Sequence, residues 1–214
     1  FKDMNERFGH VTGDRILVLQ DGERTGDLSS ASADHALSID PFSADRIEVI
    51  RGPASLLYGN NALGGVVNVI SNDIPTDVPT RPTFFLGGQG ESVTPGGVIG
   101  GGGTIPLGSK VALTARGTWR STDDLRVGGR GTLANTDASS NGGSIGVGYS
   151  GDRVQVGAAF RATSFEFGVP FPTDGEAIRL DGLRTQGAMR ATVNTGAGLI
   201  PTVRVDGTVQ RYEH

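Results

Sequence analysis

Cysteine is absent from the 214-residue sequence, which excludes disulfide frameworks, thiolate metal sites and cysteine nucleophiles. Histidine is scarce, with three residues, so there is little capacity for general-base catalysis. The sequence also lacks a serine-hydrolase elbow, a zinc-protease His pair and a phosphate-binding loop. We therefore expect a protein that is not an enzyme and that has no catalytic cofactor.

Charge of one sign is also lacking. Nineteen Lys and Arg face 23 Asp and Glu, a net charge of −4, and no basic patch favours nucleic acid as a partner. The one uncharged stretch long enough for a membrane helix, residues 52–72, is interrupted by Pro53, glycines and asparagines, so no such helix is expected. The first residues carry no targeting signal, and we expect one upstream of a sequence that is a fragment.

Glycine is abundant, at 35 residues, but 10 prolines and the lack of a three-residue period exclude collagen. From residue 83 onward, apolar and polar residues alternate with period two, which is typical of strands whose faces meet different environments. Short and long connections alternate between these strands, as in transmembrane β-barrels. The pattern predicts seven strands: 83–91, 97–105, 109–121, 141–150, 153–165, 183–194 and 202–212.

A soluble β-rich protein, such as an adhesin or a polymer-binding protein, would also have alternating strands. It would be released from membranes without detergent. The predicted outward faces carry few large apolar residues such as Ile, Leu and Phe, and many predicted inward positions are Gly, Ser, Thr or Arg. A polar lumen tolerates such residues better than a packed core does, so a membrane barrel is the preferred interpretation.

The first part of the chain has a mixed pattern. Short strands are predicted at Ile16–Leu19, Arg46–Arg51 and Val66–Ile70, the first ended by an Asp-Gly turn. A short helix is predicted at Ala54–Tyr58, after Pro53 at its start. Residues 75–82 are rich in proline, which predicts a linker.

The run RIEVIRGPASLLYGNNALGGVVNVIS, residues 46–71, closely resembles the end of the plug domain of TonB-dependent outer-membrane receptors. Ile16–Gly22 is similar to the preceding plug strand and turn. The resemblance implies an α+β plug fragment over residues 1–75, a linker over 76–82, and the first seven or so strands of the outer-membrane β-barrel over 83–214. The whole would be an incomplete 22-stranded plugged barrel in the outer membrane of a Gram-negative bacterium.

The resemblance also implies partners and contacts. The TonB–ExbB–ExbD complex would act through an upstream TonB box, and outer-membrane lipid would surround the barrel. Three charged residues of one strand are candidate plug–barrel contacts, and a solvated strand face is the alternative interpretation. Four glycines are candidate backbone-conformation positions in plug turns, with ligand contact as the alternative. The contacts are Arg46, Glu48 and Arg51; the glycines are Gly52, Gly59, Gly64 and Gly65.

The transported nutrient is predicted less directly. Asp34-His35-Ala36, followed by Asp40-Pro41, resembles the plug loop of zinc-type receptors, which makes Asp34 and His35 candidate ligands for Zn²⁺ or another metal. An ion pair or a helix cap would explain the same residues. A siderophore, haem or cobalamin receptor is the alternative. Six aromatic residues are expected in membrane-interface girdles, and stacking on a chelate is the other interpretation: Trp119, Tyr149, Phe160, Phe165, Phe167 and Tyr212.

Overall fold

The computed structural model describes residues 16–24, 43–51, 65–129, 131–170, 177–196 and 200–213. Its contacts divide the chain into two compact units, Phe1–Asn72 and Asp73–His214. The helix predicted at residues 54–58 lies outside the described residues. None of the described residues belongs to a helix with the length and apolar character needed to cross a membrane.

The first unit contains a four-stranded mixed sheet. Its strands are β1 (Ile16–Gln20), β2 (Glu23–Arg24), β3 (Arg46–Arg51) and β4 (Gly65–Ile70), in the order β2-β1-β4-β3. β1 runs parallel to β4, and the other neighbours are antiparallel. Both residues of the turn between β1 and β2 have positive φ, 53° at Asp21 and 89° at Gly22, as the type I′ hairpin turn requires. A small apolar core is formed by Leu17, Leu19 and Val66.

The second unit contains a seven-stranded antiparallel sheet in the order β13-β12-β11-β10-β7-β6-β5. Its edges are β5 and β13, and the described strands form no closed barrel, so the 22-stranded barrel stays a prediction. A separate hairpin of β8 and β9 lies in the connection after β7. The strands are β5 (Thr83–Glu91), β6 (Gly96–Pro106), β7 (Val111–Thr122), β8 (Leu125–Val127), β9 (Gly131–Leu133), β10 (Ala138–Ser150), β11 (Val154–Val169), β12 (Ile178–Asn194) and β13 (Thr202–Glu213).

The seven long strands match the seven predicted, but three of them extend further into the predicted loops. β10 begins at Ala138 instead of residue 141, β11 continues to Val169, and β12 begins at Ile178. In these extensions the outward positions are polar. Ser139, Glu166 and Asp181 lie in one register row, on the face that is apolar farther along the strands, whereas Phe167 and Leu180 lie on the other face. The pattern of apolar outward residues on which the prediction depended therefore ends before the strands do. The β8–β9 hairpin was likewise missed, since such short strands leave no periodicity.

The sheet has two unlike faces. On one, which we call the apolar face, large hydrophobic side chains are exposed; on the other, the polar face, Arg, Ser, Thr, Gln and Gly predominate. On β7 the apolar stretch runs from Val111 to Trp119, which is about 26 Å at roughly 3.3 Å per residue. This matches the apolar band of transmembrane strands, about 25 Å tall. The exposed apolar residues include Ile99, Trp119, Ile145, Val147, Tyr149, Val154, Val156, Phe160, Met189, Val193, Val203, Val205 and Val209.

Candidate functional site

The predicted metal ligands, Asp34 and His35, lie outside the described residues, as do Gly52, Gly59 and Gly64. Within the part of the chain that the structure does describe, no group of three or more His, Cys, Asp and Glu side chains could hold a metal ion. The zinc site therefore stays a prediction from sequence.

The predicted contact residues of β3 form a local network. Arg46 donates from Nε to Glu48 at 2.9 Å, and both side chains are substantially exposed. Glu48 also accepts from Asn68 Nδ2 at 3.3 Å, and the Asn68 Oδ1 accepts from the Gly22 N–H at 2.9 Å. Arg51 ends the strand and is exposed. Contact of these charges with a barrel wall stays a prediction.

Gly65 opens β4 with φ at 147°, a conformation that side-chain-bearing residues rarely adopt. A Cβ there would lie 2.7 Å from the carbonyl oxygen of Ile50 on the neighbouring strand. Close approach of two backbones and the unusual φ thus both require glycine at this position.

The turn after β1 is tied to the end of β4. The Asp21 carboxylate accepts from the Ser71 N–H at 2.8 Å and from the Ser71 hydroxyl, and Ser71 is fully buried. The Asp21 N–H donates to the carbonyl of Val69 at 2.9 Å. One aspartate therefore satisfies the polar groups where the parallel strand pair ends.

A row of polar-face residues runs straight across the seven strands in register: Phe85, Gly102, Arg116, Ser144, Arg161, Gln186 and Gln210. The Arg116 guanidinium lies over the Phe85 ring, 5.3 Å from its centroid. This is within the range of a cation–π contact, and Gly102 leaves the space between them open.

Asp73 lies over the middle of this row. Its carboxylate accepts from Arg161 Nη2 and, at 2.8 Å, from the Ser144 hydroxyl, and the Arg116 Nε lies 3.9 Å away. The side chain is 8% exposed, and those of Arg116 and Arg161 are 14% and 12% exposed. A carboxylate this deeply buried is tolerable because three strands supply positive charge and hydrogen-bond donors around it.

Glycines on the same face make room for the residues that follow Asp73. A Cβ added at Gly146 would overlap the Asp73 carbonyl, and one at Gly148 would overlap the Pro75 carbonyl. One at Gly157 would overlap Ile74. We call this path, lined by Gly146, Gly148 and Gly157, the glycine furrow; it lets the backbone of residues 73–75 lie directly on the sheet.

Three aromatic residues form an aromatic shelf on the polar face: Phe165, Phe167 and Tyr212. The ring of Phe165 is 6.2 Å from that of Phe167 and 6.0 Å from that of Tyr212. The expectation that these three belong to a membrane girdle is wrong. Phe165 and Phe167 alternate with outward Ser164 and Glu166 and share the face of Arg161, and Tyr212 is paired with Arg184 on that same face. By the same alternation Trp119, Tyr149 and Phe160 do lie on the apolar face, each at least 40% exposed.

The aromatic shelf has polar neighbours. Arg184 is opposite Tyr212 in register, is 4% exposed, and donates to Gln186 Oε1 at 3.1 Å. The Phe165 ring covers Gly182, where a Cβ would meet ring atoms. An aromatic surface beside a buried guanidinium suits a ligand with planar groups and negative charge.

The loop ends of β10, β11 and β12 are joined by two sets of polar contacts. The Asn135 amide donates to the carbonyl of Val169 at 2.7 Å and to that of Ile178 at 2.9 Å. Arg179 pairs with Asp137 at 2.8 Å and with Glu166 at 2.6 Å. The hydrogen bonds from Arg179 hold the pKa of the Asp137 carboxyl below its usual value.

Sequence reasoning missed Asp73 and the glycine furrow. The partners of Asp73 lie 71 and 88 residues away, a separation that no local pattern reveals. A signal for the furrow was present, since glycine occupies successive polar-face positions at 146 and 148 in an otherwise regular strand, and strand glycines often mark close backbone approach.

Comparison with known proteins finds a plug-domain family and two receptors or transporters that resemble this chain. Residues 6–66 match the family described as TonB-dependent Receptor Plug Domain. The chain is 37% identical over 107 residues to the vitamin B12 transporter BtuB of Photobacterium profundum, covering 50% of this chain and 17% of that protein. It is 34% identical over 118 residues to the ferric aerobactin receptor of Klebsiella pneumoniae, covering 51% and 16%. The matched stretches thus span less than a fifth of either relative.

Solved structures share the fold at low sequence identity. The copper transporter OprC and the siderophore receptor PirA from Acinetobacter baumannii each align with a TM-score of 0.69 and 18% identity. The alignments cover 92% of this chain and 30% and 32% of those proteins. At this identity the likeness shows the fold alone.

Proposed function

We propose that this chain, whose residues 6–66 match the family described as TonB-dependent Receptor Plug Domain, is part of an outer-membrane receptor of a Gram-negative bacterium. The receptor imports a scarce nutrient by energised remodelling of the plug. The TonB–ExbB–ExbD complex supplies the energy. The observation that carries the proposal is the plug match over residues 6–66, followed along the chain by a sheet whose exposed apolar face suits outer-membrane lipid.

The ligand is a metal chelate of the siderophore or cobalamin kind. The aromatic shelf supports this choice, since Phe165 and Tyr212 offer stacking surface on the polar face, which lines the lumen when such a sheet closes. The buried Arg184 beside them adds a positive charge suited to an anionic chelate. The names of the two curated relatives, a vitamin B12 transporter and a ferric aerobactin receptor, point the same way.

A bare metal ion such as Zn²⁺ is the second candidate. It depends on the neighbouring carboxylate and imidazole of Asp34 and His35, a combination that zinc accepts. In either case the metal is transported cargo and not a catalytic cofactor.

Uptake by cells expressing the intact receptor tests the proposal. Labelled cyanocobalamin, ferric aerobactin and Zn²⁺ are supplied separately, with and without an uncoupler of the proton-motive force. We expect uncoupler-sensitive uptake of one of the chelates. Replacing both Phe165 and Tyr212 by alanine should lower chelate affinity about 5- to 150-fold, since each aromatic contact contributes roughly 0.5–1.5 kcal/mol.

One control variant and two further outcomes separate the alternatives. Phe160→Ala removes a ring of the same size from the apolar face, where it is 52% exposed, and should leave chelate affinity unchanged. Loss of energised Zn²⁺ uptake on replacing Asp34 and His35 by alanine would favour the metal instead. Release of the receptor from membranes without detergent would contradict the outer-membrane proposal and favour a soluble β-rich protein.

A further inference from the structure

The contacts of Asp73 form a binding site on the sheet for a segment of the same chain, residues 73–75. A buried carboxylate needs strong partners, and this one takes donors from β11 (Arg161) and β10 (Ser144), with Arg116 of β7 beside it. The three residues are adjacent in one register row. The sheet therefore presents a ready-made row of donors at the point where the carboxylate lies.

The backbone after Asp73 is fitted as closely as its side chain. The carbonyls of Asp73 and Pro75 lie where side chains at Gly146 and Gly148 would otherwise stand, and Ile74 lies over Gly157. These contacts include main-chain atoms on both sides, so they leave little freedom for local adjustment. Shape and charge thus act together on the same three residues.

The position of residues 73–75 in the chain indicates the role of this site. β4 ends at Ile70, and β5 begins at Thr83, so residues 73–75 lie in the connection between these two strands, at the start of the second unit. We propose that Asp73 and the glycine furrow form a fixed anchorage that stays seated on the sheet throughout transport. The inference rests on the proposed transport function, and it assigns residues 73–75 as the point where plug rearrangement stops.

A neighbouring aspartate provides the contrast. Asp77 is exposed and accepts a hydrogen bond from its own neighbour Thr76 at 3.3 Å. Asp73 is instead buried against residues of three strands. Asp77 is therefore a matched control for the loss of one carboxylate in the same connection.

A disulfide tests the anchorage directly. The sequence has no cysteine, and Ile74→Cys with Gly157→Cys places two thiols where a side chain already contacts the furrow. Replacing Ile74 removes its Cγ2, the atom nearest to a Cβ at position 157, and leaves the Val147 carbonyl oxygen at 2.8 Å as the contact that has to adjust. Uptake of the labelled chelate is measured in the intact receptor, oxidised and then reduced, with each single cysteine variant as control.

The expected result is energised uptake that is the same, within about a factor of two, before and after oxidation. Uptake that is lost on oxidation and restored by reductant would overturn the anchorage, because residues 73–75 would then have to leave the sheet. Absence of energised uptake in the unmodified receptor would instead contradict the proposed transport function. Failure of the anchorage and failure of the proposed function are therefore distinguishable.

Thiol labelling gives a second measurement that does not need the disulfide. With Ile74→Cys alone, we expect slow labelling by a soluble maleimide, equal in energised and uncoupled cells. Adding Asp73→Asn should speed labelling several-fold, whereas adding Asp77→Asn should not. Fast labelling of Ile74→Cys on energisation, with Asp73 intact, would contradict a fixed anchorage.

Discussion

The amide of Asn135 ties together the loop ends of β11 and β12, and its contribution can be worked out. Its Nδ2 donates to the carbonyls of Val169 and Ile178, which face each other as the last register pair of these strands. The two bonds are partly exposed, so together they contribute about 1–2 kcal/mol. Asn135 also has a φ of 61°, which costs alanine about 1 kcal/mol more.

These terms predict different results for two substitutions. Asn135→Gly loses the amide but keeps the backbone conformation, and it should raise the local opening constant about 5- to 30-fold. Asn135→Ala should add roughly a further fivefold because of its φ. Amide exchange followed by mass spectrometry on the intact receptor measures both, with the opposite end of β11, near Val154, as an internal control.

Three outcomes would contradict this reasoning. Wild-type exchange rates in Asn135→Gly would mean that the bridging amide contributes nothing to the loop ends. Equal rates in the alanine and glycine variants would remove the backbone term. Faster exchange throughout β11 would indicate global destabilisation and not a local effect.

Three further predictions concern other parts of the chain. Asp21→Ala should lower local stability at the end of β4 by about 2–4 kcal/mol, whereas Asp21→Asn should lose less because it tolerates positive φ; amide exchange at the strand end measures both. Gly148→Ala should destabilise by about 1–3 kcal/mol through overpacking, while Gly143→Ala, whose Cβ would meet nothing closer than 3.7 Å, should change the midpoint of denaturant unfolding little. Since the pKa of Asp137 is lowered in the folded state, its pairing with Arg179 should be complete at neutral pH and be lost as the pH falls through that lowered pKa; a carboxyl titration by NMR that gives a raised pKa would contradict this.

Many of the strands could be predicted from the sequence because apolar and polar residues alternate along them, one kind on each face of the sheet. The alternation around Lys110–Arg120 and Ile145–Tyr149 predicts strands where the structure has them. It fails around Ser139, Glu166 and Asp181, which are polar residues at outward positions, so the pattern of apolar outward residues has already ended there. Prediction of strands by periodicity therefore detects the apolar band and not the full length of the strands.

The candidate site was less predictable for a different reason. The orientation of Phe165 is fixed by its parity with Arg161 on the same strand, so counting residues from a secure apolar-face position such as Phe160 would have placed it correctly. The partners of Asp73, in contrast, depend on which strands become neighbours. The structure shows that β10 lies between β7 and β11. Local patterns in a single sequence do not indicate which strands pair.

The anchorage of residues 73–75 also explains why a charge and a row of glycines occur together. A buried ion pair adds little net stability, since its desolvation offsets most of its attraction, but it penalises every arrangement that leaves the charge unpaired. A shift of the segment by one residue would place Ile74, and not a carboxylate, over Arg161 and Ser144. The glycine furrow fixes how closely the backbone approaches the sheet, and Asp73 fixes its register along β10, so neither feature alone would hold the segment in one position.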